Sequence, residues 1–384
     1  MTTVGVVANP ASGRDIRRLV TGASVFGNAE KGSMVHRLMA GLGATGVEHV
    51  LVMPAGDGVS GSLRRHVGAG HRGDGQRFPT LEFLKMPLRG TAADTTEAVD
   101  RMVRAGVSAI VVLGGDGTHR VVAKGCGSVP ICALSTGTNN AFPEMREATV
   151  AGIATGLVAT GQVAGPGMLR RGKQWRVCVD GPSAPRRVTD CALVDVALAT
   201  GRWVGARALW RARDIVESAV SFTRPDSIGL SAVAAMAHPV ARDAPHGLHL
   251  RLADLAEAKL VVHAALAPGL VVPVGVHETR LVEPGDVIEM AGRAGSLALE
   301  GEREIELGPH DRAEVRLETS DMATIDIDAV MTKAARRGLM AGRGPLAAVV
   351  CAGSRDLDTA GIQHTTDTEE RAQVGIEHGE RRVG

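Results

Sequence analysis

Tyrosine is absent from the 384 residues, and the other aromatics amount to five phenylalanines and three tryptophans. Surfaces that hold single-stranded nucleic acid stack bases on aromatic faces, so that class of partner lacks its main device here. Charge of one sign is missing too. A formal net charge of +1 gives no broad attraction to DNA or to an anionic membrane, and the basic cluster Arg170, Arg171, Lys173 and Arg176 reads as solvated surface. The five cysteines form no CxxC pair and no pattern with histidine. That argues against a disulfide framework or a structural zinc site, and fits a reducing cytoplasm. No stretch approaches eighteen consecutive apolar residues, and MTTVGVVANP has no basic region followed by a long apolar one. Neither a membrane span nor a signal peptide is expected.

What is present is ample apolar material, 44% of a chain longer than one core usually serves, so two domains are expected. Apolar runs at 4–8, 47–53, 81–86, 109–113 and 130–134 read as strands. Apolar residues at helical spacing mark helices near 30–43, after Thr91, and near 118–126. Alternating strands and helices predict an α/β domain with a parallel sheet over residues 1–150. From about 160 the pattern becomes strand after strand: 175–180, 191–199, 248–252, 259–266, 271–276, 287–290, 297–307 and 313–317. Helices are expected only at 203–220 and 227–236. That pattern predicts a mostly antiparallel β domain over 151–325. A helix within 326–345 would return to the first domain, 70–77 would be an exposed loop, and 352–384 would be a disordered tail.

Four segments carry possible chemistry. In Gly114-Gly115-Asp116-Gly117-Thr118 a hydrophobic strand runs into glycines and then a helix. Such a turn brings backbone N–H groups and a helix N-terminus to an anion. A carboxylate inside a simple phosphate cradle would repel its ligand. Asp116 makes sense if it takes a proton from a hydroxyl nucleophile or helps hold Mg²⁺; otherwise it caps a turn. Ser135-Thr136-Gly137-Thr138-Asn139-Asn140 follows the next strand and offers neutral groups for ribose or phosphate. Asn9-Pro10-Ala11-Ser12-Gly13-Arg14 follows the first strand, with Asn9, Ser12, Gly13 and Arg14 as candidate contacts. Leu299-Glu300-Gly301-Glu302 reads as a hairpin tip, ordinarily just solvated. In parallel sheets ligands sit beyond the carboxyl ends of the strands, which is where both glycine-rich segments, 114–118 and 135–140, fall.

Together these residues resemble the superfamily that joins NAD kinases, diacylglycerol kinases and sphingosine kinases, whose signature is GGDGT. NPASGRDIRR, EKGSMVHRL, STGTNNAFP, ALVDVAL, GARALW and LEGERE look most like its NAD kinase-like branch, the acetoin-catabolism X proteins, over roughly residues 1–340. The resemblance implies an α/β domain and a β-rich domain with an active site in the cleft between them. It also implies ATP with divalent Mg or Mn, and Asp116 activating the 2′-hydroxyl of the adenosine ribose of NAD or NADH. By the same resemblance Thr138, Asn139 and Asn140 contact the nucleotide, and Glu300 stands near the metal or base position. A homodimer or homotetramer is implied as well. Two departures concern the acceptor side. Val194-Asp195 stands where NAD kinases have Asn-Glu, and Asp226-Ser227-Ile228 stands where they carry Thr-Ala-Tyr. Asp195 and Ser227 are therefore substrate or metal candidates. A lipid or other small-molecule kinase of the diacylglycerol kinase type, or a non-catalytic nucleotide-binding regulatory protein, is the alternative.

Overall fold

The computed structural model describes residues 1–13, 22, 26–56, 58–68, 77–138, 140–182, 187–201, 207–291 and 294–341. The apolar runs of the first half become strands β1 (Thr3–Ala8), β2 (His49–Val52), β3 (Thr80–Phe83), β4 (Ala109–Gly114) and β5 (Ile131–Ser135). They lie in the order β3-β2-β1-β4-β5, each pair parallel. All six residues of β4 are buried, which is why its sequence is continuously apolar rather than alternating. Helices α1 (Asn28–Ala44), α2 (Val59–Gly68) and α5 (Ala148–Ala159) cover one face, while α3 (Ala92–Arg104) and α4 (Asp116–Ala123) cover the other. Thr91 caps α3 as its sequence suggested, its hydroxyl accepting from Ala93 N at 3.3 Å.

Residues 148–159 carry no helical signal in the sequence. Its residues, ATVAGIATGLVA, are small and apolar all round, so no polar face marks a helix. Packing explains the composition. A Cβ at Gly152 would lie 2.2 Å from the Leu38 carbonyl oxygen, and one at Gly41 2.3 Å from that of Thr149. The two helices touch backbone to backbone through these glycines.

The second half supplies β6 (Leu169–Asp180), β7 (Val188–Ala192), β8 (Asp195–Thr200), β9 (Ile215–Val220), α6 (Leu230–Ala237), β10 (Gly247–Ala253), β11 (Leu260–Ala267), β12 (Leu270–Val282), β13 (Val287–Ala291), β14 (Gly295–Leu299), β15 (Glu302–Leu307), β16 (Arg312–Ile325) and α7 (Ile327–Arg336). Among the described residues seven of these strands form a second, wholly antiparallel sheet in the order β11-β12-β10-β9-β8-β14-β15. The other four continue the first sheet beyond β5. There β16 pairs parallel with β5 through Thr324 and Ile131 at one end, and antiparallel with β6 and β13 along the rest. This extension faces the second sheet across a core that includes Trp175, Val177 and Val315 on one side and Val196, Leu297 and Leu299 on the other.

Two expectations fail. The helix expected over 203–220 is, in its described part, an isolated bridge at Ala208, a short turn at 212–214 and strand β9. β9 lies inside the sheet between β8 and β10, and its burial pattern, with no strict alternation, hid the two-residue period. Lys173 is not solvated surface: it is buried. Its ammonium donates to the carbonyls of Ala244 at 2.5 Å and His246 at 2.8 Å, and burial lowers its pKa to about 8. The tail from 352 and all of the 70–77 segment but Arg77 lie outside the described residues. No described helix is long and apolar enough to cross a membrane.

Candidate active site in the cleft between the sheets

In the strand order of the parallel sheet, β1 and β4 flank the point where the winding reverses, so loops leaving their carboxyl ends diverge and open a crevice. Loops 9–13, 114–118 and 135–140 meet there. Asn9 Nδ2 donates to Thr118 Oγ1 at 2.8 Å, and Ser12 Oγ lies 2.9 Å from Thr136 Oγ1. Thr136 N donates to the Gly114 carbonyl at 3.0 Å, and Asn140 Nδ2 to Ser135 Oγ at 2.7 Å. The three segments form one knot of short polar contacts.

Two glycines permit this approach. A Cβ at Gly137 would stand 2.6 Å from Asn140 Oδ1 and 3.0 Å from Gly115 Cα, and one at Gly115 would stand 2.8 Å from Asn140 Oδ1. Gly117 differs, since nothing lies within 4 Å of its missing Cβ. It borders the cleft at the first turn of α4, where helix N–H groups lack intrahelical partners. Thr138 also lines the cleft. Asn139 and Arg14 lie outside the described residues.

Asp116 is the first residue of α4 and is buried. Its carboxylate accepts from Ala141 N and Phe142 N, each at 2.9 Å. The segment after the second polar loop therefore fixes its orientation. Behind it His119, one turn on, is wholly buried, with Nδ1 2.8 Å from the Gly115 carbonyl. Burial drives its pKa down to about 4, which keeps the ring neutral at the root of the glycine loop.

The opposite wall comes from the second sheet. Glu300 and Gly301 connect β14 to β15, and both have positive φ, 55° and 70°. That is the backbone of a two-residue hairpin turn. Among the described residues Glu300 is the one non-glycine in that region, a strained choice that its surroundings must impose. The tip is not solvated, as hairpin tips ordinarily are. Glu300 is buried, and its carboxylate accepts from the N–H groups of Leu193, Val194 (3.0 Å) and Asp195 (3.3 Å). Asp195, at the start of β8, accepts from Gly301 N at 3.2 Å. Desolvation first, and then the charges of Asp116 and Asp195, hold the Glu300 carboxyl well above the usual carboxylate range. Ser227 sits in the turn before α6, where its hydroxyl donates to the Arg224 carbonyl at 2.9 Å. Its neighbours Ile228 to Ser231 line a recess of about 10 Å³ between Asp116 and Glu300, about the room of one water molecule.

In the sequence Lys31 stands out only as part of EKGSMVHRL. It lies in the first turn of α1, only 1% exposed, and its ammonium donates to the carbonyls of Asn9 at 2.9 Å and Ser12 at 3.1 Å. The amine turns the carbonyls of the first loop inward. A lysine next to a glycine in an apolar-periodic helix gave no signal of this role.

The main cleft measures about 720 Å³, within the range of small-molecule sites. Its glycine wall suits the phosphates of a nucleotide: Gly117 and the start of α4 would face them, and loop 135–140 would flank them. The same fit does not extend to a protein-built metal cage. Among the described residues no group of three or more His, Cys, Asp or Glu side chains is arranged to hold a metal ion.

Known proteins show the family and the fold. Residues 4–163 match the model of the ATP-NAD kinase N-terminal domain, and residues 178–320 that of the acetoin catabolism protein X C-terminal domain. The acetoin catabolism protein X of Cupriavidus necator is 43% identical over 338 residues, spanning 88% of this chain and 93% of that one. The chain belongs to the acetoin catabolism protein X family. Its fold is that of the NAD kinases: a crystal structure of yeast NADH kinase complexed with NADH superposes with a TM-score of 0.50 over 90% of each chain, at 12% identity. This family member thus has the fold of a kinase-type nucleotide-binding protein.

Proposed function

We propose that the cleft transfers the terminal phosphoryl group of ATP to a hydroxyl, and that the acceptor is the 2′-hydroxyl of the adenosine ribose of NAD or NADH. The observation that carries this reading is Asp116: a buried carboxylate, aimed by two backbone N–H groups, at the junction of a glycine cradle and an acidic wall. Phosphoryl transfer asks a protein mainly for positioning and charge stabilisation. The acceptor oxygen bonds to the terminal phosphorus as the bond from that phosphorus to the bridging oxygen breaks. The hydroxyl proton passes to Asp116, and ADP leaves with the bridging oxygen. Gly115 and Gly117 with Thr118 line the donor side, joined by Asn9, Ser12, Gly13, Gly137, Thr138 and Asn140, whereas Gly114 and Thr136 are buried behind them and support the cradle rather than touch the donor. Asp195 and Glu300 shape the acceptor side. The yeast relative of the same fold holds NADH, which makes NADH the first acceptor to try.

The test is incubation of purified protein with ATP and Mg²⁺ or Mn²⁺ against NAD, NADH, diacylglycerol and a sphingoid base, with products read by mass. A phosphorylated dinucleotide supports the proposal. No product from either dinucleotide overturns it; a phosphorylated lipid would transfer the same machinery to a lipid acceptor. ATP binding without any product would leave a regulatory nucleotide-binding role.

A further inference from the structure

An anion as highly charged as a triphosphate meets an electrostatic problem in this cleft. Five of the carboxylate side chains among its described lining are Asp94, Asp116, Glu300, Glu302 and Glu304, and the cations are Arg120 and Arg207. Glycine N–H groups and one helix end supply partial charge only. Whichever arginine is free to move must carry much of the compensation.

The two arginines are not equivalent. Arg120, one turn after Asp116 on α4, is 7% exposed and is held by Asp190 of β7 at 2.9 Å and Glu304 of β15 at 3.2 Å. It ties the first sheet to the second, and withdrawing it would break both ion pairs, although Asp190 would keep Lys124. Arg207 is 73% exposed, and its ion-pair neighbour Glu304 is 4.0 Å away, already engaged by Arg120. The backbone under Arg207 is nonetheless fixed. Its carbonyl accepts from Arg303 N at 2.8 Å, Leu209 N donates to the Gly301 carbonyl at 2.8 Å, and Ala208 bridges to Glu302. An unspent guanidinium therefore stands on a held backbone beside the Glu300-Gly301 turn, bordering the same cleft as the glycine cradle.

We infer that Arg207 is a catalytic residue that grips the polyphosphate of the donor from the second-sheet wall. It keeps its proton throughout and faces the negative charge that builds on the departing diphosphate, a planar donor suited to phosphate oxygens. This inference rests on the reading of the cleft as an ATP site and adds the cation which that reading lacked.

Binding separates the two claims. Equilibrium affinities for ATP and for adenosine are measured on the full chain and on Arg207→Ala and Arg207→Lys. Loss of a charge-assisted contact should weaken ATP about tenfold or more in the alanine variant, leave adenosine unchanged, and be partly restored by lysine. Unchanged ATP affinity in Arg207→Ala, or an equal loss for adenosine, overturns the assignment. Because turnover is not the readout, failure to phosphorylate any acceptor sinks the kinase reading alone. Equal ATP affinity across the variants sinks Arg207 alone.

Discussion

The two walls of the cleft are built on opposite plans. The wall from the parallel sheet is uncharged at its three loops and tight, with glycines, hydroxyls and amides packed so closely that a methyl at Gly137 would press on Gly115 Cα and one at Gly115 would displace the Asn140 amide. The wall from the antiparallel sheet is charged and internally repulsive. Glu300 is strained in its backbone and pushed toward its protonated form first by burial and then by the charges of Asp116 and Asp195. One wall has the features for holding a phosphate chain in place. On the proposed reading, the other would set protons and charge at the reacting end.

That contrast can be broken at Asp116, where the walls meet. Asp116→Asn should lower turnover by at least about 10²-fold, as loss of a general base does, with ATP affinity retained in an equilibrium titration. An unchanged rate would remove the proton-accepting role. The neutral wall is probed at its anchor: Lys31→Met strips the carbonyls of Asn9 and Ser12 of a charged donor and should cost about 1–3 kcal/mol in urea unfolding. A cost near zero would mean that the loop holds its own shape.

The glycines sharpen the comparison within one wall. Gly137→Ala forces a Cβ against Gly115 and should lose about 1–3 kcal/mol of stability. Gly117→Ala meets open space, so its melting temperature should stay put while ATP binding weakens. If both variants behave alike, Gly117 does not face the phosphates.

The charged wall gives the smallest and most diagnostic effect. A carboxyl whose folded pKa is raised binds its proton more tightly in the native state. Its contribution to stability is therefore present at low pH and lost as pH rises past the ordinary carboxylate value of about 4.3 and on through the folded pKa. Glu300→Gln removes that loss. Its stability relative to the unaltered chain should climb over this window in parallel pH series of urea melts; a flat difference would show that Glu300 is not held protonated.

The sequence made the neutral wall legible and left the charged one nearly dark, for a physical reason. Loops 9–13, 114–118 and 135–140 each follow a buried strand whose apolar run is visible locally, and their glycines mark close approach wherever they occur. Glu300 owes its position to N–H groups of Leu193, Val194 and Asp195, a hundred residues earlier in the chain, which no local pattern records. The strands at 287–290 and 313–317 were visible too, but not that they join the first sheet. Lys31 and the helix at 148–159 were hidden by residues whose purpose is contact with a distant partner.

The return of β16 to the edge of β5 has a consequence for how the protein is made. As the chain emerges during synthesis, β5 has no neighbour on one side until Thr324 arrives to pair beside Ile131. Val330 and Ala334 of α7, which close the core over α5, come later still. The nucleotide-binding half cannot finish folding on the ribosome ahead of the rest. Until the last strand is released it presents an open sheet edge, the kind of surface that recruits other chains. A truncation before residue 312 would leave that edge permanently open, so cellular yield should depend on chaperone capacity far more for such a fragment than for the full chain.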